Sequence, residues 1–139
     1  MMLAGCGSGR APSEAADATR EGWYAKTVEQ LAAIDKEAES DFQAGKPDQA
    51  AALIEKGLPM EEKLVSVNHP TLEAAEAASD LDDLYGRMLL SNRHFGWARL
   101  QFQKNLSRWK HWSPQTVDTV RRVQQAAAEI TECDRRMEQ

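Results

Sequence analysis

The stretch from Leu81 to Lys110, LDDLYGRMLLSNRHFGWARLQFQKNLSRWK, constrains the fold of this chain more than any other segment. Leu81, Leu84, Tyr85 and Met88 recur at three- and four-residue steps, the spacing of one helical face. Ser91 and Asn92 end that run, because their short polar side chains compete with helical hydrogen bonding. A second stripe follows through Phe95, Ala98, Phe102, Leu106 and Trp109. Two such helices with a few residues between them must be antiparallel neighbours. Gly86 and Ala98 are the small residues that would let the two backbones approach at a crossing.

The rest of the chain repeats this plan. A helix is expected from about Thr19 to Ala44, with a stripe through Trp23, Leu31, Ile34, Ala38 and Phe42. Gly45-Lys46-Pro47-Asp48 breaks it, Gly suiting a helix end and Pro the first turn of the next helix. The second helix carries Ala50, Leu53, Ile54 and Leu58, and Pro59 is expected to kink or restart it before Met60 and Leu64. Ser66 to Pro70 leads into an Ala-rich helix reaching Leu90. His111 to Pro114 leads into a last one through Val117, Val120, Val123, Ala126 and Ile130. With 139 residues, 42% hydrophobic and 28% charged, and no alternating β-branched runs, the chain reads as one all-α domain over residues 19–139.

The net charge of -5 is unevenly spread. Residues 1–83 carry a net of about -10, whereas residues 84–117 hold no Asp or Glu. There Arg87, Arg93, Arg99, Lys104, Arg108 and Lys110 form a basic stretch. It is either a solvated helix face or a docking patch for an acidic protein or anionic head groups.

This layout resembles the tetratricopeptide repeat. Tyr85-Gly86 and Leu89 in the first helix, then Phe95, Ala98 and Phe102 in the second, match the family's pattern. Ala50 and Ile54 stand in the places of Ala98 and Phe102 one repeat earlier. Asn105 occupies the family's second small position, and Asp82 its first-helix Trp position. Ala50 and Ala98 are 48 residues apart, more than the ordinary period of about 34. Long repeats with His-Pro at a helix entrance, as at His69-Pro70, are similar to the kinesin-light-chain type. The resemblance implies two antiparallel hairpins plus a capping helix with Arg121, Arg122, Gln124, Gln125, Arg135 and Arg136 on its solvated outer face. It also implies a shallow inner groove at Asp80, Asp83, Arg87, Leu90 and Ser91, joined by Gln125, Ala128 and Glu132. Such a groove would take an extended peptide or a partner helix. The alternative binding surface is the basic second-helix face at Arg93, Arg99, Lys104, Arg108 and Lys110.

At the N-terminus, Leu3-Ala4-Gly5-Cys6 resembles a bacterial lipobox, with residues 1–18 as signal remnant and tether. The resemblance implies a lipid on Cys6 and, with Gly7 following, an outer-membrane address facing the periplasm. It also implies a start upstream of Met1, because a basic and apolar leader needs more than five residues. Cys133 is the other thiol and reads as a buried, inert one.

No catalytic set is recognisable. His69, His94 and His111 sit at helix entrances or ends, away from any spacing that binds metal, so neither metal nor cofactor is expected. Asp80, Asp82 and Asp83 read as a solvated acidic cluster. Arg108 to Trp112 interleaves cations with aromatics, but Trp109 continues the buried stripe, leaving chiefly Trp112 exposed and no nucleic-acid site. The expected function is a non-enzymatic, membrane-tethered module that binds another protein as scaffold or assembly factor. The alternatives are a cytoplasmic adaptor and a binder of anionic surfaces.

Overall fold

Two reverse turns of the same construction set the topology in the computed structural model, which describes residues 17–139. Gly45 adopts a left-handed φ of 75°, and the Lys46 amide returns to the Asp41 carbonyl at 2.8 Å. Arg93 does the same with φ 66°, and the His94 amide returns to the Leu89 carbonyl at 2.8 Å. A left-handed residue followed by this long backward bond is a helix stop that satisfies end carbonyls. Gly adopts it freely, whereas a residue with a Cβ such as Arg93 gives up about 1 kcal/mol. The two turns are 48 residues apart, the same interval that separates Ala50 from Ala98.

The described residues are all-helical. After a short 3-10 turn (Ala18–Arg20) come α1 (Gly22–Gln43), α2 (Pro47–Val65), α3 (Leu72–Ser91), α4 (Phe95–Lys110) and α5 (Val117–Met137). The pairs α1–α2 and α3–α4 are antiparallel hairpins, α3 packs on both α1 and α2, and α5 runs back along α4. The chain therefore forms two successive hairpins and a closing helix. Thr71 starts α3 by accepting the Ala74 amide at 3.2 Å. At the start of α5, Thr116 and Thr119 cap each other's amides at 3.1 and 2.7 Å.

Two boundaries differ from expectation. Asp17 accepts both the amide and the hydroxyl of Thr19, at 3.2 and 2.6 Å, so the first residues close a 3-10 turn and α1 begins only at Gly22. Pro59 does not interrupt α2, which continues to Val65. Both Pro59 and Glu55, whose carbonyl loses its helical partner, are exposed, so water can take up the missing bond.

The first hairpin and α3 share one core, built on Tyr24, Leu31, Ile54, Leu64, Leu81, Leu84 and Met88. The buried Tyr24 hydroxyl donates to the Leu64 carbonyl at 2.8 Å. A second, smaller core joins α4 to α5 through Ala98, Phe102, Ile130 and Cys133. Cys133 is fully buried, and that burial raises its thiol pKa.

Gly86 lies where these cores meet: a Cβ added there would sit 2.5 Å from Cε1 of the buried Phe102 ring. Helix propensity alone would favour Gly86→Ala by about 1 kcal/mol. The packed ring cannot retreat, so urea denaturation should instead show a net loss of about 1–3 kcal/mol. Gly96→Ala, with nothing within 4 Å of its added Cβ, serves as the stabilising or neutral control. A gain at Gly86 matching that at Gly96 would contradict the close crossing.

Candidate functional site

The short face of α3 that turns toward α2 and α4 is charged, not apolar. Asp82 is fully buried, with Lys104 Nζ 3.0 Å from Oδ1 and Arg108 Nη2 3.1 Å from Oδ2. Glu61 of α2, only 4% exposed, completes the group at 3.4 Å from Lys104 and 3.5 Å from Arg108. Burial and the adjacent Asp82 charge push the Glu61 pKa upward. Beside them the Asn105 amide donates to the Ser79 carbonyl at 3.0 Å, and Trp109 Nε1 donates to Ser79 Oγ at 2.8 Å. The two carboxylates, Ser79 and Asn105 sit between helices, out of reach of a ligand, whereas the Lys104 side chain stays half-exposed at the edge.

The opposite side of α3 faces outward across α1. Asp35, Lys36 and Glu39 of α1 and Asp80, Asp83 and Arg87 of α3 line a groove of about 720 Å3, floored partly by Ala32 and Ala33. Arg87 donates to Asp83 at 2.8 Å and clasps Glu39 with both terminal nitrogens. That pairing holds the Glu39 carboxyl below its ordinary range. Asp80 is bound by Arg122 of α5 at 3.2 Å. Asp80 and Asp83 also line a smaller hollow, about 70 Å3, with Arg121, Gln125 and Glu129 of α5. Burial and a hydrogen bond with Asp83 raise the Glu129 pKa. Asp80 and Asp83 thus stand between two hollows, the larger over α1 and α3 and the smaller reaching α5.

Asp35 is the exception in this lining. It is 8% exposed, and neither carboxylate oxygen has a hydrogen-bond partner among the described residues. Burial first, then the charges of Asp80, Glu61 and Asp82, push it up to about 9.

Of the groove residues expected from sequence, Asp80, Asp83 and Arg87 line the larger groove, and Gln125 reaches Asp83 at 3.4 Å across the smaller hollow. Ala128 is exposed on α5. The others lie apart. Leu90 packs against the Phe102 core, Ser91 is exposed at the end of α3, and Glu132 bonds Arg135 and Arg136 on its own helix. On the basic face, Arg99 pairs with Asp134 at 2.7 Å, and Lys104 and Arg108 serve the buried cluster. Arg93 stands over the Phe95 ring in the turn, and Lys110 is exposed at the end of α4. Cys6 lies outside the described residues.

Three details correct the sequence-based picture. Asp82 is buried, not solvated, because two cations from α4 and the fold of α2 close over it. Arg122 is not on the outer face: it turns inward over the Trp109 ring at 5.1 Å and bonds Asp118 and Asp80. Trp112 is half-buried, its ring 5.6 Å from Trp109. Sequence reasoning missed Asp35, Glu39 and Glu129. The repeat interval holds the signal for two of them, since 48 residues before Asp83 and Arg87 stand Asp35 and Glu39.

Asp35 gives the fold a pH dependence of known sign. Its folded pKa of about 9 lies above the ordinary 3.8, so the folded state holds the extra proton. The resulting stability is complete below the ordinary value and is lost as pH rises toward the folded one. Asp35→Asn should therefore gain on the parent protein in urea denaturation, by at least ~1 kcal/mol more at about pH 8 than at about pH 5. An equal gap at both values would mean that Asp35 titrates normally.

Among the described residues no helix is long and apolar enough to cross a membrane. Compared with known proteins, the chain matches no family model, no curated protein sequence and no solved structure, so its assignment rests on the residues and geometry above.

Proposed function

We propose that this chain is a non-enzymatic protein-interaction module of tetratricopeptide type, acting as a scaffold or assembly factor at the cell envelope. A lipid on Cys6 would hold it there, with residues 1–18 as leader and tether. The observation that carries the reading is the groove between α1 and α3, about 720 Å3 and lined by side chains from successive hairpins, with a smaller hollow beside it reaching α5. Its charged lining suits backbone and polar side chains of an extended segment more than a small apolar ligand. The repeated turn and the small residues at Gly57, Gly86 and Ala98 support the tetratricopeptide type.

The rival reading, an anionic surface bound by the α4 cations, draws less support. Lys104 and Arg108 already face buried carboxylates and Arg99 pairs with Asp134 at the surface, which lowers the charge they can offer outside.

Ala33→Trp fills the groove from an exposed position and should leave helicity and melting temperature unchanged. Cross-linked capture of partner protein from native membranes should fall at least severalfold with this variant and persist when Arg93 and Lys110 are changed to Glu. The reverse pattern would move the binding surface to α4. The anchor is checked separately by mass spectrometry of the native protein. A diacylated Cys6 peptide is expected, and an unmodified peptide running from Met1 through Cys6 would refute the lipoprotein assignment.

A further inference from the structure

A buried carboxylate without a counter-charge is costly, and proteins normally supply a cation or hydrogen-bond donors beside it. Here the acids around Asp35 have such partners. Glu39 and Asp83 hold Arg87, Asp80 holds Arg122, and Glu61 and Asp82 share Lys104 and Arg108. Asp35 alone among these lining acids has neither cation nor donor, and it lies on the wall of the groove. Lys36, next along α1, is exposed at the rim and forms no ion pair with it. The charges that act on Asp35 from the packed helices are those of Asp80 and, from the far side of α3, of Asp82 and Glu61, the last two paired with Lys104 and Arg108. The adjoining turn of α1 offers only the methyl groups of Ala32 and Ala33 to the groove, and the two Asp35 oxygens, closed to solvent as the groove stands, meet an incoming group once the side chain turns outward.

We propose that Asp35 is the recognition residue of this groove, receiving an arginine or lysine side chain from a peptide segment of a partner protein laid between α1 and α3. The proposal rests on the groove reading above and supplies its chemical specificity. A guanidinium would bring both the missing donors and the missing charge, and arginine fits best because its planar fork can bind a carboxylate with two parallel bonds. Binding is then linked to proton release. Free Asp35 holds a proton at neutral pH, since its pKa lies near 9, and the cation selects the ionised form. Affinity should accordingly rise with pH, by about tenfold per unit, until the free carboxyl is itself ionised. Such a groove would reject a neutral segment of the same shape, because its buried acid would gain nothing from it.

The test uses an alanine-rich nonapeptide with one central arginine, the same peptide with citrulline in that place, and spermidine. Carboxyl carbon shifts of Asp35 are followed by NMR, and affinity by anisotropy of the labelled peptides, on the whole chain. The arginine peptide should shift the Asp35 signal, lower its titration midpoint, and bind about tenfold more tightly at pH 8 than at pH 7. Citrulline should abolish the effect, and Asp35→Asn, a fold-preserving change, should weaken the arginine peptide at least about tenfold. Equal binding by Asp35→Asn, or by the citrulline peptide, would overturn the proposal. Spermidine binding Asp35 as tightly as the peptide would overturn the choice of a peptide occupant. If Asp35 proves silent while Ala33→Trp still blocks partner capture, the Asp35 assignment alone falls. If Ala33→Trp is silent too, the groove reading falls with it.

Discussion

Asp82 has no contact with solvent, yet it is a carboxylate at the junction of three helices, and the second hairpin is arranged around neutralising it. Lys104 and Arg108 come from one face of α4, spaced one helical turn apart, so both reach the same acid. Glu61 of α2 joins them, and the four charges balance. Desolvating such a set is expensive, and its net worth to stability is small or even unfavourable compared with an apolar core. Its effect lies elsewhere. With Arg108 removed, two buried carboxylates are left to one half-exposed lysine, a loss of the kind that costs about 3–5 kcal/mol when a buried pair is broken. Sliding or rotating α4 against α3 would break the same contacts, so the cluster fixes the register within the second hairpin, and Glu61 links it to the first.

The same cluster explains why the two hairpins are not copies. In the first, Gly57 lets α2 approach until an added Cβ would meet Leu31 and Leu81 at 3.1 and 3.2 Å, an apolar crossing. One interval later stand Asn105 and Ser79, which cross through an amide–carbonyl hydrogen bond of 3.0 Å. Ile34, buried in the first hairpin, has Asp82 as its counterpart. The repeat therefore keeps its turns and its closest approach at Ala98 and Gly86, while the layer between hairpins changes from apolar to polar. The polar layer also receives α5. Arg122 enters it over the Trp109 ring and reaches Ser79 at 3.3 Å, so the closing helix is fixed by directional bonds as well as by Ile130 and Cys133.

What the sequence revealed follows from which forces leave periodic traces. Helix number, the hairpin between Leu81 and Lys110 and the small residues at the crossing were all legible, because apolar spacing and turn residues record them directly. Asp80, Asp83 and Arg87 were legible as groove positions only through the repeat pattern. The burial of Asp82 was not, because a carboxylate in an acidic run looks solvated until its cations are known, and these come from α4 and not from neighbours in sequence. Arg122 misled for the same reason: one helical face can be an outer surface at Arg121 and an inner contact one residue later. Pro59 failed as a breaker because its solvent-side position removes the usual penalty. Asp35 sat unnoticed between Ile34 and Lys36, since an acid in an amphipathic helix carries no local sign of being covered.

Helical geometry gives α3 its two electrostatic sides. Successive residues turn by about 100°, so Asp82 points to the cluster while Asp80 and Asp83 flank the groove. The cations follow this division, with Lys104 and Arg108 behind α3 and Arg87 and Arg122 in front. The cluster behind α3 sets two acids against two cations, whereas the front carries more carboxylates than cations, and among these Asp35 on α1 is the one with both oxygens buried and unbonded. A groove whose acids are mostly hydrogen-bonded already discriminates poorly, because most ligands would exchange one set of equivalent contacts for another. A single covered acid changes that balance, since only a cation improves on its proton. If Asp35 receives a cation as proposed, selectivity comes less from the shape of the groove than from this one carboxyl, both of whose oxygens lack a partner.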